Sequence, residues 1–151
     1  MSTLKERLHS DLTTAMRARD EVRIATLRMS LTAITNAEVA GKQAKQLSDD
    51  DVLAVLTKEA KKRREAAEAF RDGGRPESAD TEDAEAAIIA EYLPAPLTDD
   101  ELRSLIDDAI AETGAESPRD MGTVMRVLTP RVAGRADGKM VAAAVKDRLA
   151  G

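Results

Sequence analysis

The stretch Gly134-Arg135-Ala136-Asp137-Gly138-Lys139-Met140 comes nearest to a chemical motif in this chain. A nucleotide-binding loop needs four residues between its glycines and a Ser or Thr after its lysine to hold magnesium. Here the spacing is one residue short, and Met140 stands where the hydroxyl should be. Nucleotide hydrolysis is therefore not expected. Anion binding is the reading that survives: Arg135 and Lys139, beside a helix N-terminus near Gly138, suit a backbone phosphate. Asp137 competes for the same terminus, and a tight interhelical turn that needs glycine explains the motif equally well.

The other reactive residue types carry less. There is no cysteine, which excludes disulfides, thiolate metal sites and thiol nucleophiles. His9 is the only histidine, and nothing near it in sequence marks a nucleophile or an orienting acid. Asp49-Asp50-Asp51 and Asp99-Asp100-Glu101 resemble paired carboxylates, but each lies in an expected first helical turn, where acids complement the dipole. Asp107-Asp108 falls on a helix flank as solvated surface. No catalytic residue, metal ligand or cofactor site is assigned. In Lys58-Glu59-Ala60-Lys61-Lys62-Arg63-Arg64 the bases are interleaved with acids: Glu59 is spaced to pair with Arg63, and Arg64 with Glu68. That pattern fits a salt-bridged, solvated face.

Charge is uneven towards the C-terminus. Thr98 to Glu116 holds seven acids and one base, whereas Ser117 to Gly151 holds seven bases and three acids. The whole chain is at −5, which opposes indiscriminate binding to nucleic acid but leaves room for one basic face. Arg126, Arg131, Arg135 and Lys139, with the turn at Gly138, are the candidate RNA-binding residues. The same asymmetry also fits docking between the two halves of that region.

Helices must position these groups. Aromatic residues make up 1% of the chain, hydrophobic residues 42% and charged residues 34%. This composition favours helix and opposes both sheets and base-stacking platforms. Thr3 with Glu6 reads as a capping box ahead of a stripe of Leu4, Leu8, Leu12 and Met16. Asp20 caps a second helix with Ile24, Leu27, Leu31 and Ile34 on one side. Val22, Ala25, Met29 and Ala33 lie on another side, which predicts a helix sandwiched between neighbours. Ser48 opens a third helix with a seam of Leu56, Ala60, Arg63, Ala67 and Phe70, stopped by Gly73-Gly74. The Arg63 stem is expected to snorkel over the core while its head pairs with a carboxylate. Pro76 restarts a fourth helix whose apolar part is Ala84, Ile88, Ile89 and Tyr92.

Leu93-Pro94-Ala95-Pro96 reads as a linker. Beyond it come a helix from Thr98 to Gly114, a second from Ser117-Pro118 stopped by Pro130, and a last one capped by Asp137. No segment alternates as a strand. The expectation is an all-α fold: a helical bundle of about four helices over 1–93, then a small three-helix domain over 97–151. No apolar run reaches the roughly 20 residues of a membrane span, and Met1 to Asp11 lacks the apolar centre of a signal peptide. A cytoplasmic location without membrane contact is expected.

Five stretches, in order, give the chain a family likeness. They are Thr26-Leu27-Arg28-Met29 with Ala33-Ile34, Lys58 to Ala66, Glu91-Tyr92-Leu93-Pro94, Asp120 to Met125, and Gly134 to Lys139. Together they resemble the YqeY-like proteins, stand-alone relatives of the C-terminal tail of the B subunit of tRNA-dependent amidotransferase. The resemblance implies an N-terminal helical bundle and a tail-like C-terminal domain that helps to hold tRNA. The kinase-like, transamidation and glutaminase parts of that enzyme have no counterpart in this chain. By kinship the chain is related to carbon–nitrogen ligases with glutamine as amido-N-donor, without turnover of its own being expected. Three functions stay open at this point. They are an accessory tRNA-binding module, a helical protein–protein adaptor, and a component of an amidotransferase assembly with its subunits as partners. DNA is not an expected ligand.

Overall fold

A computed structural model describes residues 2–151. Among them are seven α-helices, one 3-10 turn and no strands. The helices are α1 (Leu4–Ala18), α2 (Glu21–Glu38), α3 (Asp49–Asp72), α4 (Pro76–Ala90), α5 (Asp99–Thr113), α6 (Met121–Val132) and α7 (Gly138–Ala150). They gather into two compact units, Met1–Leu93 and Pro94–Gly151.

Local capping chemistry starts the helices. Thr3 and Thr98 each form a reciprocal box, with Glu6 and Glu101 respectively. Asp20 accepts from the Arg23 amide, Ser48 from the Asp51 amide, and Pro76 stands in the first turn of α4. Asp49 also accepts from the Leu4 amide at 3.0 Å. One acid of the triple cluster thus satisfies an orphan donor at the start of α1.

The core of the first unit is Leu8, Ala15, Leu27, Leu31, Ile34, Val52, Leu56, Ala60, Ile89 and Tyr92. Several expected details differ. Met16 leaves the α1 stripe and is 48% exposed, while Ala15 is buried in its place. Steps of four residues drift about 40° each around a helix of 3.6 residues per turn, so Met16 has moved off the line of Leu8, whereas Ala15, seven residues after Leu8, stays on it. The second apolar side of α2 is not sandwiched, because Val22, Ala25 and Met29 are exposed. The buried side of α2 instead takes in Thr26 and Ser30, whose hydroxyls donate to the carbonyls of Val22 and Thr26 at 2.8 Å each. These i−4 bonds satisfy the hydroxyls and permit their burial. On α4, Ala84 faces solvent, and Ala79 and Ala86 do the packing.

Arg63 pairs its head with carboxylates, as expected, but does so without snorkelling to solvent. It is 4% exposed, and its guanidinium stays inside with Glu59 at 2.9 Å and Glu85 at 3.1 Å. It also donates to the Glu59 carbonyl. Burial alone would raise the Glu59 carboxyl, but hydrogen bonds from Arg63 and Lys62 outweigh it and hold the pKa below the usual value.

In the second unit, Ile106 and Ala109 of α5 pack with Val124, Leu128 and Val132 of α6 and with Val141, Val145 and Leu149 of α7. Pro130 does not stop α6, which runs on to Val132. Proline forfeits one amide bond to the preceding turn. Its exposed position leaves that carbonyl to solvent, and burial of Leu128 and Val132 on the opposite side keeps the last turn in place.

Candidate nucleic-acid interface

The candidate residues lie on α6, on the α6–α7 turn and at the start of α7. The seam of Val124, Leu128 and Val132 fixes the orientation of α6 and turns Arg126 to solvent. Arg131, near the end of the same helix, is tied back to α5. Its guanidinium lies 2.6 Å from a Glu112 oxygen, and that hydrogen bond raises its pKa further above the ordinary value.

Arg135 is tied down more thoroughly. Its Nε donates to the Ala95 carbonyl at 3.1 Å, and its Nη2 lies 3.6 Å from Glu101. Its backbone carbonyl accepts from the Leu97 amide at 2.9 Å. It therefore fastens the segment that leads into α5 onto the α6–α7 turn. The Glu101 carboxyl sits below its usual pKa, chiefly through the Thr98 amide and hydroxyl, with Arg135 adding to the effect.

The two glycines of the turn differ. Gly134 has φ +76°, a backbone state that L side chains rarely adopt. Gly138 needs no such freedom, and a Cβ built there would meet nothing within 4 Å. The expectation that both glycines serve the backbone holds only for the first. At the start of α7 the Asp137 carboxylate accepts from the Lys139 amide at 2.9 Å. A carboxylate thus occupies the N-terminus where a phosphate was considered. Lys139 itself projects to solvent.

Asp107 is not merely solvated. Its two oxygens meet Arg148 Nε at 2.7 Å and Nη2 at 3.1 Å, a two-pronged pair between α5 and α7. The acids of α5 therefore take up Arg131, Arg135 and Arg148. Sequence separations of 19 to 41 residues hide these pairings, and the charge imbalance between the two stretches was their only trace. Arg119, Arg126, Lys139 and Lys146 remain exposed, without a carboxylate partner among the described residues. An open cleft of about 350 Å³ between α5 and α7 is lined by Asp99 and Asp147 together with Arg103 and Arg148, so its formal charge is balanced rather than basic.

No grouping of His, Cys, Asp or Glu among the described residues could hold a metal ion, and no helix among them is long and apolar enough to cross a membrane. His9 is exposed on α1.

The family model described as Yqey-like protein matches residues 5–149. An uncharacterized protein of Schizosaccharomyces pombe (strain 972) is 34% identical over 88 residues, which is 58% of this chain and 69% of the yeast protein.

Proposed function

The chain belongs to the Yqey-like protein family, and from that premise we propose that it is an accessory module that docks the phosphate backbone of a structured RNA, tRNA first, without turnover of its own. One observation carries the reading. After α5 has taken up three arginines, Arg126 and Lys139 remain exposed and without a carboxylate partner among the described residues, alongside Arg119 and Lys146. Surplus cations of this kind attract polyanions through counterion release. With only two aromatic residues in the chain, backbone and shape reading is favoured over base stacking. The kinship with the amidotransferase tail is what selects tRNA among RNAs and amidotransferase subunits among protein partners.

Roles within the site follow from the contacts. Arg126 and Lys139 meet phosphate directly. Arg135 chiefly positions the turn, and Arg131 contributes only where it exchanges Glu112 for phosphate. At Gly138 a phosphate has to displace the Asp137 carboxylate from the helix terminus.

The test is a fluorescence-anisotropy titration of tRNA at low and moderate salt. Arg126→Glu with Lys139→Glu is expected to abolish binding, whereas Lys62→Glu with Arg64→Glu on α3 is expected to leave most of it. Absence of binding by the wild type at low salt, or loss confined to the α3 variant, rejects the reading. Arg135→Glu is a poor probe, because it also releases the Ala95 segment.

A further inference from the structure

Helix α2 is buried along Leu27, Leu31 and Ile34, yet its outer face is not an ordinary polar one. Glu21, Val22, Ala25, Arg28 and Met29 are all exposed there. Val22 and Met29 are 43% and 51% exposed, two of the few large apolar side chains in such a position. At 3.6 residues per turn, Ala25 lies on the midline of this face. Val22 and Met29 lie together on one flank, and Glu21 and Arg28 lie together on the other. Among the described residues no cation pairs with Glu21 and no carboxylate with Arg28. Arg28 reaches only the sulfur of Met16, at 4.0 Å, and Met16 extends the apolar surface.

This arrangement is complementary to itself. Consider a twofold axis that passes through Ala25 and stands perpendicular to the helix. It lays a second α2 antiparallel to the first, so that a residue three or four before Ala25 faces the residue four or three after it on the same flank, within the 1.5 Å rise of one residue. Each flank stays on its own side of the axis. Val22 then faces Met29 of the other copy, Glu21 faces Arg28, and both pairings occur twice, as an isologous contact requires. Alanine at the axis lets the helices approach to about 8 Å. Methionine adapts its shape to such a contact. An unrelated partner helix would not require an acid and a base balanced about one small residue, whereas a second copy does.

We propose that the outer face of α2 is the contact surface of an antiparallel homodimer, centred on Ala25 and set in register by Glu21 of each copy against Arg28 of the other. The contact is small, so association is reversible and depends on concentration. It does not rest on the RNA reading.

The experiment is sedimentation velocity on the full chain across a concentration series up to millimolar, with circular dichroism to check helix content. Wild type is expected to pass from monomer to dimer. Glu21→Arg alone, or Arg28→Glu alone, places like charges opposite each other twice and is expected to weaken the dimer roughly tenfold or more. The double variant Glu21→Arg with Arg28→Glu restores opposite charges and is expected to recover it. Ala25→Arg is expected to abolish it. A chain that stays monomeric throughout, a dimer indifferent to the single reversals, or a double variant no better than the singles would each overturn the proposal.

Discussion

Arg63 and Glu85, 22 residues apart in the chain, meet at 3.1 Å between α3 and α4, with the arginine almost wholly removed from water. A buried ion group of this kind contributes little net stability when complete, but is costly when broken, because the remaining charges lose both partner and solvent.

Arg63→Met is therefore expected to destabilise the first unit by about 3 kcal/mol, measured as the shift in urea unfolding. Replacing Glu59 and Glu85 with leucine in the same chain should return most of that loss. The pH dependence has a definite sign. The Glu59 pKa is lowered in the folded chain, so its contribution is present above the unfolded value of about 4.3 and is lost as pH falls through the folded value.

At the other end of the pH range, the buried Tyr92 hydroxyl donates to Asp11, with the Arg7 guanidinium over its ring at 4.7 Å. Burial first, and the Asp11 carboxylate second, raise the Tyr92 pKa. A raised phenol pKa means stability that is complete below the unfolded value of about 10 and is lost as pH rises beyond it. Tyr92→Phe should cost about 1.5 kcal/mol at neutral pH. It should also flatten the alkaline fall in thermal midpoint; an unchanged fall would rule out this tyrosine as its source.

The Arg135 clasp predicts a proteolytic phenotype. Arg135→Ala should speed cleavage near Pro94 to Leu97 several-fold while leaving the helix content of the chain almost unchanged, read by timed digestion with mass spectrometry. In the wild type, Arg71 to Ser78 and the Pro94 segment should still be cut before any helix interior. Early cleavage inside α3 would contradict a two-domain organisation.

The glycines give a sharp contrast within one turn. Gly134→Ala should destabilise by about 1 kcal/mol because φ is positive there. Gly138→Ala, in the first turn of α7, should be neutral or slightly stabilising. Thermal unfolding of the two variants side by side decides the point.

If Arg126, Lys139 and one further cation contact phosphates, the logarithm of tRNA affinity should fall against the logarithm of salt with a slope of about −2 to −3. Neutralising one contact alone, in Arg126→Ala or Lys139→Ala, should make that slope shallower by about 1. A salt-independent affinity would point to an apolar contact instead.

Much of this architecture is written within four residues of itself. The boxes of Thr3 with Glu6 and Thr98 with Glu101, the caps at Asp20, Ser48 and Asp137, and the stop at Gly114 are all contacts between near neighbours, so residue type and spacing determine them. The all-helical character follows from the same local rules together with the apolar periodicity. Spacing also foretold the local pair of Glu59 with Arg63, but tertiary structure alone decided which acid meets which base between helices. Nothing near Arg135 in the chain points to Ala95, and nothing near Arg63 points to Glu85, because both pairings depend on how separate helices dock. Docking also decided which side of α2 stays bare. A helix apolar on two sides states that both could be buried, but only the positions of its neighbours determine that Leu27 is wholly covered while Met29, its sulfur 3.7 Å from Arg63 Nη2, stays half exposed.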